Sequence, residues 1–177
     1  SLSLCLTLAI IGSWAAPRAF AQKERNALLA KVAHATILIT SDSGYQGSGV
    51  VTRIMKRKYV LTAHQVCEGG SKIKLLSRGD QSSGTTTQIH GWHRLYDIAV
   101  YPLPQSMQHL PVLRLSDRIL PKGEKVAVAA FPGGNPTFSL GVIRDYRTAN
   151  SGTIPTGVLF TADVDKGASG GMIIDKD

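Results

Sequence analysis

The chain has 177 residues, a formal net charge of +8, 43% apolar residues and 18% charged residues. This balance excludes an intrinsically disordered chain and indicates one medium-sized domain or two small cooperating domains. Eighteen glycines and eight prolines are spread through the sequence, which favours many short strands joined by turns.

The first 21 residues differ from the rest of the chain. Residues 1–16 are almost wholly apolar or small, and the first charge is Arg18. The Ala-Phe-Ala sequence at 19–21 predicts a secretory signal peptide cut before Gln22. A membrane anchor is the alternative, but the apolar run is too short to span comfortably and Pro17 and Arg18 end it. Because an initiator methionine and a basic leader are absent, we expect the true N-terminus to lie upstream.

A short amphipathic helix is predicted over 22–34, and strand-like segments follow it. The predicted strands of a first unit are 35–40, 47–52, 58–62, 71–77, 85–92 and 97–101. After the proline-bounded segment 102–111, further strands are predicted at 125–131, 138–146, 158–162 and from 172 onwards. The sequence therefore predicts an all-β fold of two units, about 35–101 and 112–177, joined by the linker 102–111.

Basic residues cluster at Arg53 and over 56–58, between two predicted strands. A nucleic-acid patch is one interpretation. No aromatic residues are interleaved with these charges, however, and no nucleic-acid motif is present, so a solvated hairpin tip is favoured and no nucleic-acid partner is expected.

The cysteines and two histidines give little indication of a disulfide or a metal site. Cys5 lies in the predicted signal peptide, so the mature chain keeps Cys67 alone and can form no internal disulfide. His90 and His93 are spaced as a metal pair could be, but no cysteine and no carboxylate cluster accompanies them. The sequence therefore predicts neither a metal site nor a cofactor.

The segment Lys166-Gly-Ala-Ser169-Gly-Gly171 is the first candidate for chemistry. Glycines beside a serine leave room for a substrate backbone and let successive N–H groups point into one small cavity. A plain turn is the alternative interpretation. A nucleophilic Ser169 would need a base and a group that orients the base.

Two upstream residues can supply those roles. His64 follows an apolar strand after Thr-Ala, where its imidazole can accept a proton near neutral pH. Asp97 opens the apolar strand Ile-Ala-Val-Tyr101, and a carboxylate that is partly buried there needs a hydrogen-bond partner. An imidazole N–H would be one such partner, and an aspartate that caps a turn is the alternative.

Thr-Ala-His64, Asp97-Ile-Ala-Val and Gly-x-Ser169-Gly-Gly occur in the order His, Asp, Ser. In this order they resemble the chymotrypsin-like, or trypsin-like, serine proteases, over roughly residues 35–175. The intervals of 33 residues from His64 to Asp97 and 72 from Asp97 to Ser169 are similar to those of the compact, disulfide-free bacterial branch. That branch includes the high-temperature-requirement and glutamyl-endopeptidase-like enzymes.

The resemblance implies a serine protease domain over 22–177, built from two six-stranded antiparallel barrels with the catalytic cleft between them. It implies that Ser169 is the nucleophile, His64 the general base and Asp97 its orienting partner. The N–H groups of Gly167 and Ser169 would form the oxyanion hole. Two further strands normally follow the serine in this family, so we expect the second barrel to be incomplete at the C-terminus.

The resemblance also implies a secreted or periplasmic endopeptidase that acts on polypeptides without a cofactor and has no membrane anchor after signal cleavage. A protease-fold peptide-binding or chaperone-like module with little turnover is the alternative. Asp163 stands where trypsin carries the aspartate that selects basic substrates, although the bacterial branch has an aspartate there without that preference. Ala168 replaces the aspartate that captures a freed N-terminus in animal trypsins.

Overall fold

The computed structural model describes residues 15–94, 96–148 and 155–175, so most of the predicted signal peptide lies outside the described residues. Helix α1 (Ala15–Ala35) extends beyond the predicted helix at its N-terminal end and crosses the predicted cleavage point. It stops where the β-branched residues of β1 begin, and the Thr36 hydroxyl donates to the Val32 carbonyl at 2.7 Å. The side chain of the first strand residue thus bonds to a carbonyl in the last turn of α1.

The described residues form eleven strands in two antiparallel sheets, together with two helices and two short 3-10 turns. The strands are β1 (Thr36–Ser41), β2 (Gln46–Ile54), β3 (Arg57–Thr62), β4 (Ile73–Ser77), β5 (Ser83–Thr86), β6 (Gly91–His93), β7 (Ile98–Pro102), β8 (Lys125–Ala130), β9 (Thr137–Thr148), β10 (Pro155–Phe160) and β11 (Met172–Ile174). The second helix, α2 (His64–Cys67), follows β3, and the 3-10 turns are Gln105–Met107 and Pro132–Gly134.

The first sheet has the strand order β5-β4-β1-β2-β3-β7-β6. The prediction of one strand over 85–92 is wrong, because the chain there forms parts of β5 and β6, separated by residues 87–90. Strand β5 pairs with β4 at one edge of the sheet, whereas β6 pairs with β7 at the other edge. A chain that changes partner strands across the whole sheet cannot remain one continuous strand. The first sheet therefore has seven strands instead of six.

The second sheet has the order β10-β9-β8-β11 and holds the four strands expected within the sequence. Strand β9 is twelve residues long and pairs with both β8 and β10. The segment between the sheets is fixed to the first one, because Leu113 N–H donates to the Val51 carbonyl and the Leu113 carbonyl accepts from Thr52 Oγ1, each at 2.9 Å. The all-β fold class predicted from the sequence is confirmed.

The two sheets have apolar cores of different size. Fifteen buried residues form one cluster under the first sheet, among them Ile37, Val60 and Leu75. The cluster of the second sheet consists of Val128, Ala130 and Ala162, with two half-buried neighbours. Because burying one aliphatic side chain is worth about 1.5–3 kcal/mol, the first sheet is the stronger support for a site between the two.

Candidate active site

His64 is held at the start of α2, directly after the end of β3. Its backbone N–H donates to the Asp97 carbonyl at 3.1 Å, and the next N–H, that of Gln65, donates to Asp97 Oδ1 at 2.8 Å. Helix N–H groups of the first turn have no partner within the helix and need one outside it. Asp97 supplies an acceptor for each of these two N–H groups, so the first turn of α2 and the start of β7 are fixed to each other.

Of the two roles that its sequence position left open, Asp97 shows the turn, and the Gln65 backbone N–H, in place of an imidazole N–H, is the partner of its carboxylate. Its N–H donates to the Arg94 carbonyl at 3.1 Å, which closes a turn, and its half-buried carboxylate accepts the Gln65 N–H. Its φ of +51° is unusual for a residue other than glycine. Such a conformation persists where the surroundings over-determine it, and it is common at functional sites.

The Ser169 segment is a tight turn with two glycines in left-handed conformations. Gly167 has a φ of +97° and Gly170 a φ of +81°. A Cβ atom on Gly170 would overlap the Ser48 carbonyl oxygen and the Thr62 hydroxyl. The backbone conformation therefore favours glycine at both positions, and at Gly170 the close approach of the serine turn to the first sheet requires it as well. The turn leaves the Ser169 side chain exposed.

Ser48 connects that turn to both sheets. The signal for this role in the sequence is limited to a polar residue between two glycines in an apolar strand. Ser48 is fully buried in β2. Its N–H donates to the Ser169 carbonyl at 2.7 Å, and its hydroxyl donates to the Gly167 carbonyl at 2.9 Å while accepting the Phe131 N–H at 2.8 Å. Its own carbonyl accepts from Thr62 Oγ1 at 2.6 Å. We call this set of four bonds the Ser48 contact.

The structure brings the three predicted catalytic residues to one place, where Gln65 touches two of them. The Gln65 backbone binds the Asp97 carboxylate, and its Nε2 lies 3.5 Å from Ser169 Oγ. The His64 ring is half-buried and packs against Trp92, with ring centroids 5.0 Å apart. Within the described ranges, that ring makes no hydrogen bond to Asp97 or Ser169.

The backbone at the predicted oxyanion hole has free donors. The Ala168 N–H donates to the Asp165 carbonyl at 3.0 Å and the Gly171 N–H to the Ala168 carbonyl at 2.8 Å. The N–H groups of Gly167 and Ser169 donate to no acceptor in the part of the chain that the structure describes. Exposed N–H groups in such a turn can stabilise a negative oxygen.

Asp163 lies beside a cavity of about 940 Å³ on the Gly167 side of the serine turn. The other walls of that cavity are residues 44–46 and residues between Pro132 and Thr137. The Asp163 side chain is exposed, and its carbonyl accepts from Ser139 Oγ at 2.6 Å. Gly167 of the predicted oxyanion hole lines the same cavity, whereas His64 and Ser169 do not.

Cys67 is a buried free thiol at the end of α2, and the tight packing there fits an inert structural cysteine. Burial raises the pKa of this thiol, and the nearby Asp97 charge raises it further, against a lowering hydrogen bond with Tyr101. His90 and His93 contact different aromatic rings, those of Tyr59 and Tyr96. Among the described residues, no three histidine, cysteine, aspartate or glutamate side chains are grouped as metal ligands would be.

Neither helix of the described ranges combines the length and the apolarity that a membrane span requires. This finding applies to α1 and α2 as the structure bounds them.

Solved protein structures with the same fold are numerous. The Rv3671c protease of M. tuberculosis in its active form superposes with a TM-score of 0.67 at 22% identity, over 85% of this chain and 69% of that one. The HtrA-type protease AlgW, solved with a tripeptide, superposes with a TM-score of 0.67 at 24% identity, over 83% of this chain and 50% of that one. The serine endoprotease from Yersinia pestis superposes with a TM-score of 0.65 at 22% identity, over 82% of this chain and 52% of that one. These likenesses confirm the chymotrypsin-like fold.

Comparison with curated protein sequences gives no match. The family model of the trypsin-like peptidase domain, in contrast, matches residues 47–177, which include all three predicted catalytic residues and most of both sheets. The chain therefore belongs to the trypsin-like peptidase family of serine endopeptidases.

Proposed function

We propose that this protein is an exported serine endopeptidase that cleaves polypeptides through Ser169, His64 and Asp97. The observation that carries the proposal is the convergence of three separate elements at Gln65. The start of α2, the turn before β7 and the serine turn are linked there within hydrogen-bond distances. Family membership supports the reaction class, and this convergence supports the choice of residues.

The proposed reaction has two steps. Ser169 Oγ attacks the scissile carbonyl carbon while His64 takes its proton, and the imidazolium then protonates the leaving amine as the C–N bond breaks. Water adds to the resulting acyl-enzyme with His64 as base again, and Ser169 recovers its proton when the acid product leaves. The Gly167 and Ser169 N–H groups stabilise the oxyanion in both steps, and each such donor is worth about 2.7–4 kcal/mol.

Asp97 has the role of holding His64 and stabilising its charged form. Its carbonyl and carboxylate already fix the first turn of α2, which carries the ring. The mechanism requires the His64 ring to leave Trp92 far enough to bond Asp97 and Ser169. Catalytic hydrogen bonds of this kind are often long without substrate and tighten when substrate binds.

Reaction with a fluorophosphonate probe tests the proposal, because the probe phosphonylates a serine that is activated as a nucleophile. We expect the purified protein to be labelled at Ser169 and Ser169→Ala to show no labelling. His64→Ala should lower the labelling rate by several orders of magnitude, and Asp97→Asn by about 10⁴-fold. The exposed Ser106 is a matched control, since Ser106→Ala should label at the wild-type rate. Absence of labelling in the folded wild-type protein would refute the assignment.

A second candidate is a peptide-binding module with little turnover, and the position of the His64 ring against Trp92 favours it. This module would bind an unfolded polypeptide with micromolar affinity but would neither react with the probe nor release peptide fragments. Measurement of peptide binding by fluorescence anisotropy together with probe labelling separates the two functions.

A further inference from the structure

The β2–β3 hairpin carries an unusual arrangement of positive charges. Its register places Arg53 directly opposite Lys58, and Lys56 and Arg57 follow at the tip. Like charges on directly opposed residues destabilise a hairpin. None of these four side chains makes an ion pair with a carboxylate among the described residues. Within the described part of the protein, no carboxylate therefore offsets this repulsion.

Arg53, Lys56 and Arg57 are exposed and Lys58 is half-buried, and all four line a surface cavity of about 560 Å³. The cavity is also lined by Gln88, His90, Gln108 and the end of β7, and none of the carboxylates that the structure describes lines it. Tyr59 is buried and its ring lies 4.7 Å from that of His90, which closes one side. The volume is in the range of cavities that bind small molecules.

Lys58 has a fixed position in this wall. Its Nζ donates to the carbonyls of Gln108 and Leu110, each at 2.6 Å, and the ammonium keeps a third N–H for another acceptor. The Gln108 side chain is fixed in turn by a bond of 2.6 Å to the Leu103 carbonyl. The lysine is therefore a positioned donor, in contrast to a mobile surface cation.

We propose that this cavity, which we call the hairpin cavity, binds a ligand with two or more phosphate groups. The two guanidinium groups and two ammonium groups that line it are the donors that phosphate oxygens prefer, and guanidinium groups bind them in a bidentate manner. Single-stranded nucleic acid does not fit as well, because its bases stack on exposed aromatic faces, and the Tyr59 ring is buried against His90. The phosphate groups could belong to a free polyphosphate or to the headgroups of an anionic lipid surface.

The two sources of phosphate differ in whether Met55 would contact the ligand. This residue lies at the hairpin tip between the cations and is 95% exposed. An apolar side chain at that place would enter a lipid surface but would not reach a phosphate compound inside the cavity. Met55→Ser therefore distinguishes the sources, since it should weaken binding to a membrane and leave binding of a soluble polyphosphate unchanged.

Isothermal titration with sodium tripolyphosphate tests the site without reference to peptidase activity. We expect saturable binding at one site, and at least a tenfold loss of affinity in the double variant Arg53→Gln, Arg57→Gln. The double variant Arg78→Gln, Arg144→Gln removes the same charge from exposed positions outside the cavity and should change the affinity by less than threefold. Thermal unfolding of each variant verifies that it is folded.

Sedimentation with phosphatidylglycerol vesicles, and with phosphatidylcholine vesicles as control, completes the test. Binding to phosphatidylglycerol that falls in the Arg53, Arg57 variant and in Met55→Ser assigns the phosphates to lipid. Tripolyphosphate binding without vesicle binding assigns them to a soluble compound. Absence of saturable binding to either, or equal losses in the two double variants, would overturn the proposal, because net charge alone would then explain any interaction.

Discussion

The two sheets differ in how much apolar side chain each one buries, and the predicted catalytic residues are divided between them. The first sheet buries bulky residues such as Ile37, Ile39 and Leu75 completely. The second buries mostly small ones, and large side chains such as Leu140 and Leu159 remain exposed on it. His64 and Asp97 lie beside strands of the well-packed sheet, on α2 and in the turn before β7, whereas Ser169 lies in the turn before β11 of the sparsely packed one.

This difference indicates that the position of the nucleophile depends on contacts with the first sheet more than on the core of its own sheet. The Ser48 contact supplies those connections, since it binds Gly167, Ser169 and Phe131 to strand β2. The three experiments below test this dependence, from the largest expected effect to the smallest.

Gly170→Ala should have the largest effect on stability. The residue has a φ of +81°, and the added Cβ would overlap the Ser48 carbonyl, a backbone atom of a central strand that cannot move aside. Strain and overlap together should lower the free energy of unfolding by about 3 kcal/mol or more. Urea denaturation measures the change through the transition midpoint.

Gly44→Ala separates the cost of backbone strain from the cost of steric overlap. Gly44 has a similar φ of +90°, but a Cβ there would meet nothing within 4 Å. Its substitution should therefore cost only the conformational penalty, about 1–2 kcal/mol. Equal losses at the two positions would show that the approach of the serine turn to β2 has no energetic importance.

Ser48→Ala should have the next largest effect, and it should affect activity as well as stability. Without the hydroxyl, the buried Phe131 N–H loses its acceptor and the Gly167 carbonyl loses its donor, which costs about 1–3 kcal/mol. Because Gly167 carries one of the proposed oxyanion donors, kcat should fall at least tenfold with a smaller change in KM. Peptide hydrolysis and urea denaturation give the two measurements.

Ser77→Ala is the matched control within the first sheet. Ser77 is also fully buried, and its hydroxyl donates to the His34 carbonyl at 3.1 Å, away from the serine turn. This variant should lose about 1 kcal/mol of stability while kcat stays at the wild-type value. A comparable fall of kcat in both variants would mean that general destabilisation, and not the Ser48 contact, controls the nucleophile.

The Ser48 contact also illustrates the difference between features that could be predicted from the sequence and features that could not. Strands such as 58–62 and 125–131 were predictable because β-branched and apolar residues determine them locally. The catalytic residues His64, Asp97 and Ser169 were proposed from short motifs, and they remain a prediction. The two partners of the Ser48 hydroxyl, in contrast, lie 83 and 119 residues further along the chain, so no local pattern specifies them.

The break at 87–90 and the position of the His64 ring could not be predicted for the same reason. The sequence over 85–92 is rich in β-branched residues, as a strand is, but its two ends pair at opposite edges of the sheet. The orientation of the His64 ring depends on Trp92, which lies on β6 on the other side of that break. Both features follow from tertiary pairing, which overrides local preference.

Asp80→Asn should have the smallest effect, because Asp80 stabilises the well-packed sheet from its surface. Asp80 Oδ2 lies 2.6 Å from His109 Nε2, beyond the end of β4. Partial burial raises the pKa of the Asp80 carboxyl, but hydrogen bonds from Ser82 and His109 outweigh it and hold the pKa well below its ordinary value. Since the folded-state pKa is the lower one, the contribution is present above about pH 4 and is lost as the pH falls below that value.

The variant should therefore be less stable than the wild type at pH 6 by at most about 1 kcal/mol, and the difference should shrink below about pH 4. Urea denaturation over this pH range measures it, with labelling by the fluorophosphonate probe unchanged at pH 7. A loss larger than that of Ser48→Ala would contradict the comparison of the two sheets. Surface charge on the first sheet would then contribute more to stability than the Ser48 hydrogen bonds, which hold the serine turn of the second sheet against the first sheet.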